Sequence, residues 1–249
     1  MRIRIVSPVT MRRAPGVATR SVDDRRQVTV ESVTVQAGPA TIECEFDEVM
    51  AGPDTVARII EAEHDGCDAV VVNCFADPAV KAGREVVKIP VLGPGESAMH
   101  VAAILGQRFS VVTVLESVAP IIENHCRMYG LAEKLASIRW VNIPVLELHG
   151  DETRLRVALV EEAAKAIEMD GAHAIVLGCT GMTGLAVEVQ EGLRQRGHAG
   201  IPVIDPLEAA LKLAEALVSL HLSHSKRTYP YPPAKEIVGY NIRPAAVGP

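Results

Sequence analysis

The sequence predicts an α/β protein made of two similar parallel-sheet domains, and three observations support this prediction. Short apolar runs alternate with longer segments of helical periodicity, which is typical of βαβ units. Hydrophobic residues make up 48% of the 249 residues but aromatic residues only 3%. The core is therefore mostly Val, Ile, Leu and Ala, a composition that suits buried parallel strands covered by helices. One stretch of sequence also occurs twice.

The elements follow one another as strand and helix along most of the chain. The predicted strands cover residues 2–6, 28–35, 69–72, 91–92, 109–115, 139–143, 174–177 and 203–204. The predicted helices cover residues 54–65, 79–87, 96–105, 118–129, 151–170, 182–196 and 206–220. Asp54 is a candidate N-cap and Gly130 a C-terminal stop signal. From Ser223 onward, we expect an extended arm that packs on the body or on a second subunit.

The internal repeat relates residues 66–74, Gly-Cys-Asp-Ala-Val-Val-Val-Asn-Cys, to residues 171–179, Gly-Ala-His-Ala-Ile-Val-Leu-Gly-Cys. Each copy is followed by an Ile-Pro-Val triplet, at 89–91 and at 201–203. The repeat predicts two halves related by a pseudo-two-fold axis. We place the first lobe approximately at 1–105 with 206–249, and the second at 106–205.

The repeat also selects two of the five cysteines. Cys74 and Cys179 each lie just past the end of a buried strand, at the carboxyl edge where open α/β sheets bind ligands. If the halves face each other across a cleft, both thiols point into it. A matched pair of this kind favours a functional role over that of two small buried hydrophobes. Cys44, Cys67 and Cys126 have no such match and are interpreted as structural.

Two thiols suit the inversion of a stereocentre next to a carbonyl group. One side chain removes a proton from one face while the other supplies a proton to the opposite face. A thiol can do both, and backbone N–H groups where a strand gives way to a helix can stabilise a thiolate or hold substrate oxygens. We expect no metal and no cofactor, since no lysine motif suggests pyridoxal phosphate and no His, Asp or Glu grouping has clear metal spacing.

Charge and hydropathy exclude several other functions. The net charge of −6 leaves no basic surplus for phosphates, so we expect no nucleic-acid partner. No apolar run reaches the ~18 residues of a membrane span, and residues 1–10 do not resemble a signal peptide. We therefore expect a cytoplasmic enzyme that acts on a small molecule. The odd number of widely spaced cysteines indicates free thiols.

Several stretches resemble the hydantoin racemase branch of the aspartate/glutamate/hydantoin racemase superfamily. They are residues 73–78 (Asn-Cys-Phe-Ala-Asp-Pro), 93–100 (Gly-Pro-Gly-Glu-Ser-Ala-Met-His), 177–182 (Leu-Gly-Cys-Thr-Gly-Met), 109–113, 129–132 and 143–148. The resemblance covers nearly the whole chain. It implies two Rossmann-like (flavodoxin-like) domains related by pseudo-two-fold symmetry, with the active site in the cleft between them. It also implies Cys74 and Cys179 as acid and base, no cofactor, and a homo-oligomer.

The resemblance further implies a substrate, which is a 5-substituted hydantoin or the related ureide allantoin. The positions that correspond to substrate contacts are Ser7, Thr10, Asn73, Phe75, Thr113, Ser117, Thr180 and Gly181. The loop at 7–10 often reads Asn-Pro-Asn-Thr in the family. Here Ser7 and Val9 replace both asparagines, so the polar groups that this loop offers to a substrate differ.

Some alternatives stay open from the sequence. The same fold also carries aspartate or glutamate racemases, and maleate isomerases or arylmalonate decarboxylases that use one of the same cysteine positions; a non-catalytic binding protein is a further alternative. Thr113 is either a ligand contact or a hydrogen-bonding residue at a strand end, and Ser117 either binds ligand or caps a helix. His100 is interpreted as a helix residue with a local partner. Asp77 and Asp205 are interpreted as helix caps.

Overall fold

The computed structural model describes residues 1–10, 28–240 and 242. Within these residues the chain divides into two compact units. The first contains Met1–Ile42, Phe46–Gly93 and Ala210–Pro249, and the second contains Glu43–Glu45 and Pro94–Ala209.

The first unit is a four-stranded parallel sheet with its helices. Its elements are β1 (Arg2–Ser7), β2 (Thr29–Thr34), α1 (Glu45–His64), β3 (Ala69–Val72), α2 (Val80–Val86) and β4 (Val91–Leu92). The strand order is β2-β1-β3-β4, and β1 pairs with both β2 and β3 in parallel register. The side chains of β3 are all buried, which explains why this strand reads as an unbroken Ala-Val-Val-Val run rather than an alternating pattern.

The second unit repeats this topology. Its elements are α3 (Pro94–Leu105), β5 (Phe109–Thr113), α4 (Ala119–Met128), β6 (Leu135–Trp140), α5 (Glu152–Glu168), β7 (Ala174–Leu177), α6 (Ala186–Gln195) and β8 (Val203–Ile204). Helix α7 (Pro206–Ser219) starts in the second unit, and from Ala210 onward it belongs to the first. The strand order is β6-β5-β7-β8 with all pairs parallel. The predicted α/β fold with two parallel sheets is confirmed, and the two halves share one strand order.

Helix α3 is grouped with the second unit, although the lobe boundaries expected from sequence placed it in the first. It packs against β5, β7, β8 and α4. Its Ala98, Met99 and Ala102 are fully buried.

Three elements begin four or more residues away from their expected starts. Helix α1 begins at Glu45 and continues through Pro53, so Asp54 is not its N-cap; the Asp54 carboxylate accepts instead from the N–H groups of Gln36 and Ala37. The strand expected at 139–143 is β6, which begins four residues earlier than expected, at Leu135. The helix expected from 182 begins at Ala186 as α6, because Gly184 has a φ of 93° and interrupts it.

The C-terminal arm packs on the first unit. The Lys226 ammonium group donates to the carbonyl oxygens of Arg84 (2.7 Å) and Val87 (2.6 Å) at the end of α2. The N–H of Val91 in β4 donates to His224 Nε2 at 2.9 Å, and Arg84 Nε donates to the Val91 carbonyl at 3.0 Å. The side chains of His224 and Arg84 thus form hydrogen bonds with the N–H and C=O groups of Val91 in this edge strand, where a further strand would otherwise pair.

None of the helices in the described part of the chain combines the length and the apolar character that crossing a membrane requires.

Candidate active site

Each sheet has a topological switch point, and each switch point lies beside a cysteine. From β1 the chain passes to β2 on one side and then to β3 on the other; β5, β6 and β7 repeat this arrangement. In open α/β sheets, ligands bind outside the carboxyl ends of the strands at such points. Cys74 follows the end of β3 by two residues and Cys179 follows the end of β7 by two residues. Both are partly exposed.

Cys179 is held by the turn that it begins. It is the N-cap residue of a 3₁₀ turn, Thr180–Met182, and the N–H of Gly181 donates to its Sγ at 3.3 Å. The N–H of Met182 donates to the Cys179 carbonyl at 3.0 Å. An amide directed at sulfur stabilises negative charge there.

Thr113 and Gly178 fix the position of this turn relative to the sheet. The Gly178 N–H donates to the Val112 carbonyl at 2.8 Å, and the buried Thr113 hydroxyl donates to the Gly178 carbonyl at 3.1 Å. A Cβ atom at Gly178 would lie 2.7 Å from Thr113 Cβ and 2.7 Å from Val111 Cγ1. Only glycine allows this approach, which places Thr113 directly beneath the cysteine segment.

Cys74 has the same backbone position in the first unit but different surroundings. The N–H of Asn73 donates to the Val6 carbonyl at 2.8 Å, and the N–H of Asp77 donates to the Cys74 carbonyl at 3.1 Å. These bonds match those of Gly178 and Met182 in the second unit. However, Asn73 replaces Gly178, and α2 begins only at Val80 with Ala79 as its N-cap. The expected cap role of Asp77 for this helix is therefore wrong.

The two units place a buried carboxylate beside the cysteine segment by different routes. In the second unit Asp205 directly follows β8, and its carboxylate accepts from the Gly184 N–H at 2.7 Å. In the first unit the residue that corresponds to Asp205 in the repeat is Gly93. A Cβ atom at Gly93 would overlap the carboxylate of Asp77, so that carboxylate occupies the space that a side chain at this position would fill.

The remaining cysteines differ from this pair. Burial, followed by a hydrogen bond to Glu31, raises the pKa of Cys67 to about 11. Burial also raises the pKa of Cys126 to about 11, and its sulfur contacts Met99 Sδ at 3.4 Å. Both thiols stay protonated at neutral pH, which agrees with a structural role. Cys44 is exposed and does not contribute to a core.

The other predicted site residues occupy varied positions. Ser7 ends β1, beside the first switch point. Phe75 is 4% exposed and Thr180 6% exposed, so both contribute mainly packing or backbone. The Thr10 hydroxyl donates to the Pro39 carbonyl at 3.2 Å, and the Ser117 hydroxyl donates to the Glu43 carbonyl at 2.9 Å.

His100 has the local partner expected of it, since its Nδ1 lies 2.8 Å from the Glu96 carbonyl oxygen. Sequence reasoning found the Asp205 cap, because Asp-Pro before a helix is a recognisable signal. It missed the bond from Gly184 to the same carboxylate, since 21 residues separate the two partners and no local pattern marks the pairing.

The two parallel sheets with matched cysteine segments define a doubled α/β fold, and comparison with known proteins gives the family. The model of the family described as Asp/Glu/Hydantoin racemase matches residues 9–214. The chain belongs to this family, as its motifs predicted, and is therefore an enzyme of the isomerase class.

Individual relatives narrow the similarity to one branch. The chain is 36% identical to a hydantoin racemase of Pseudomonas sp. (strain NS671), over 96% of this chain and 95% of that one. It is 42% identical to a hydantoin racemase of Rhizobium meliloti, over 82% and 83% of the two chains. The solved allantoin racemase from Klebsiella pneumoniae superposes with a TM-score of 0.84, at 32% identity over 96% of each chain.

Proposed function

We propose that this protein racemises 5-substituted hydantoins or the related cyclic ureide allantoin, with Cys74 and Cys179 as the two proton-transfer groups and without a cofactor. One observation carries the proposal: each unit has a partly exposed cysteine at the same point of the same sheet topology. Relatives named hydantoin racemase and allantoin racemase support the substrate class.

The proposed reaction requires the two sulfurs to reach opposite faces of the substrate carbon. In one direction the first cysteine, as thiolate, removes the proton, and the second, as thiol, gives a proton to the other face. The negative charge that develops on the carbonyl oxygen next to the stereocentre needs hydrogen-bond donors. Backbone N–H groups of the segments that follow Cys74 and Cys179 are the candidate donors. In the reverse direction the two cysteines exchange roles.

The test compares three cysteine variants. Cys74→Ser and Cys179→Ser should each lower kcat by at least about 100-fold, because a positioned acid or base contributes about 10²–10⁴ to the rate. Cys44→Ser is the matched control and should keep wild-type activity. Activity is followed as the loss of optical rotation from enantiopure hydantoins and from allantoin. Incorporation of solvent deuterium at the stereocentre reports proton transfer directly.

The outcomes separate the alternatives. Full activity in either Cys74→Ser or Cys179→Ser would contradict the two-base scheme. Loss of activity in only one of them indicates a single nucleophilic cysteine, and the assay then moves to maleate and arylmalonates. Turnover of aspartate or glutamate, with none of hydantoins, assigns the protein to the amino-acid racemases instead.

A further inference from the structure

The carboxylate of Asp205 makes more hydrogen bonds than a helix cap needs. Its Oδ1 accepts from the N–H groups of Leu207 (3.0 Å) and Glu208 (3.2 Å), the first turn of α7. The Thr183 hydroxyl approaches the same oxygen at 3.4 Å. Its Oδ2 accepts from the Gly184 N–H at 2.7 Å. The side chain is 7% exposed, so water competes little for these bonds.

These bonds connect the start of α7 to the segment that follows Cys179. The 3₁₀ turn Thr180–Met182 lies between the cysteine and Gly184, and the Thr183 N–H donates to the Thr180 carbonyl at 3.3 Å. Gly184 itself has a φ of 93° and an exposed backbone, so little else packs on this corner. A carboxylate that fixes Gly184 therefore limits how far the turn, and with it the Gly181 N–H, moves from the sulfur.

We propose that Asp205 is a positioning residue for Cys179, which holds the Gly181 N–H against the Cys179 sulfur by anchoring Thr183 and Gly184. The proposal rests on the proton role of Cys179 proposed above. The bonds of Asp205 reach Thr183, Gly184 and the start of α7, so it acts on the sulfur through the turn. Its charge also suits the N-terminus of α7, where anions are favoured.

The first unit provides a comparison for this role. Gly93 occupies the Asp205 position of the repeat, and the Asp77 carboxylate fills the space beside it. Asp77 is 7% exposed and has a φ of 51°, a conformation that costs free energy in a non-glycine residue. Both units thus keep a buried carboxylate at the same place. In the second unit this carboxylate belongs to Asp205, just after β8. In the first unit it belongs to Asp77, within the cysteine segment.

The experiment separates the anchoring of the turn from the capping of α7. Asp205→Ser keeps a good N-cap, but a single short hydroxyl cannot also reach Gly184. The readout is the rate at which iodoacetamide alkylates Cys179 across a pH series, followed by mass spectrometry of the Cys179 peptide. We expect the rate at pH 7 to fall about tenfold, since a hydrogen bond to a charged group is lost, and the profile to move to higher pH.

Two controls accompany this measurement. Alkylation of Cys74 in the same sample should be unchanged, because the Asp205 carboxylate bonds to the second cysteine segment and to the start of α7. Asp151→Ala removes the N-cap of α5, where the Asp151 carboxylate accepts from the Arg154 N–H at 2.9 Å. It should lower Tm and leave the Cys179 profile unchanged. Asp205→Asn keeps one acceptor oxygen, for either Gly184 or the first turn of α7, and should give a rate between those of the wild type and Asp205→Ser.

A wild-type Cys179 profile in both Asp205→Ser and Asp205→Ala, with lowered Tm alone, would overturn the proposal and leave Asp205 as a cap. The readout needs no substrate, so it is independent of the proposed reaction. If Cys179→Ser retains racemase activity, the proposed function fails whatever Asp205 does. If both proposals hold, Asp205→Ser lowers kcat about tenfold with KM nearly unchanged, the pattern of a group that acts in the transition state.

Discussion

The two halves of this protein share a backbone plan and differ in the side chains that complete it. Both sheets have the same strand order, and in both the residue before the cysteine donates its N–H to the first strand. The second unit uses Gly178 and Asp205 where the first uses Asn73 and Gly93. The fold thus tolerates two different arrangements around the same cysteine position, which makes the two thiols chemically inequivalent.

The outer parts of the two sheets show a similar contrast. In the first unit, the edge strand β2 carries the acid, Glu31, which accepts from Arg4 Nε of β1 at 2.6 Å. In the second, the edge strand β6 carries the base, Arg139, which donates to Asp170 at 2.7 Å and 3.0 Å. In addition, the C-terminal arm covers β4 of the first unit. The two edge strands therefore carry opposite charges, although not at equivalent positions, since Glu31 pairs with Arg4 and Arg139 with Val112. Each prediction below tests one difference between the two units.

The largest effect should come from the residue before each cysteine. Gly178→Ala places a methyl group 2.7 Å from Thr113 Cβ and Val111 Cγ1, two buried side chains of β5 with no free space. We expect a loss of about 2–3 kcal/mol and a fall in Tm of about 5 °C or more. Asn73→Ala is the matched change in the first unit, where the backbone already accommodates a Cβ, and its Tm should fall less.

Differential scanning calorimetry provides both values. An equal fall in Tm for the two variants would show that the halves do not differ at this position. Activity serves as a second measurement for Gly178→Ala, since a displaced Cys179 segment should also lower kcat.

The arm on the first unit should give an intermediate effect. Lys226→Met keeps most of the aliphatic stem but removes the donor to the Arg84 and Val87 carbonyls, so we expect a loss of about 1–2 kcal/mol. The matched control is Arg127→Met, whose exposed guanidinium group contacts the exposed Glu123 at 3.4 Å; this pair should contribute less than about 0.5 kcal/mol. Urea unfolding curves measure both, and equal midpoints would contradict a stabilising arm.

The smallest effect concerns the ion pair at the edge of the second sheet. The hydrogen bond from Arg139 lowers the pKa of the Asp170 carboxyl group below its ordinary value, against an opposing effect of burial. Because the folded pKa is below the unfolded value of about 3.9, the stabilisation is complete above about pH 4 and is lost as the pH falls through the folded pKa. Asp170→Asn should cost up to about 1 kcal/mol at pH 7.

The difference between Asp170→Asn and the wild type should shrink as urea unfolding is repeated at lower pH. Glu123→Gln breaks the exposed pair of Glu123 with Arg127, at 3.4 Å, and should have no measurable effect at any pH. A difference for Asp170→Asn that stays constant down to about pH 2 would rule out ionisation as its cause.

Much of the fold could be read from the sequence because its signals are local. The runs at 69–72 and 174–177 coincide with β3 and β7, since strands buried on both faces are continuously apolar. The sequence did not predict the start of β6 or the interruption of the expected helix at Gly184. The first depends on pairing with β5, including an irregularity between Phe109 and Ser110. The second depends on the positive φ angle of Gly184, which the apolar periodicity of residues 182–196 does not indicate.

The sequence by itself determined the α/β class, the repeat and the choice of Cys74 and Cys179 among five cysteines, because periodicity and spacing are written in the order of residues. Only the tertiary structure decided what holds each cysteine. The contacts of Gly178 with Val111 and of Asp205 with Gly184 join residues far apart in the chain. Such contacts follow from how strands and turns pack in three dimensions. The two copies of the sequence repeat therefore hold their cysteines in two different environments.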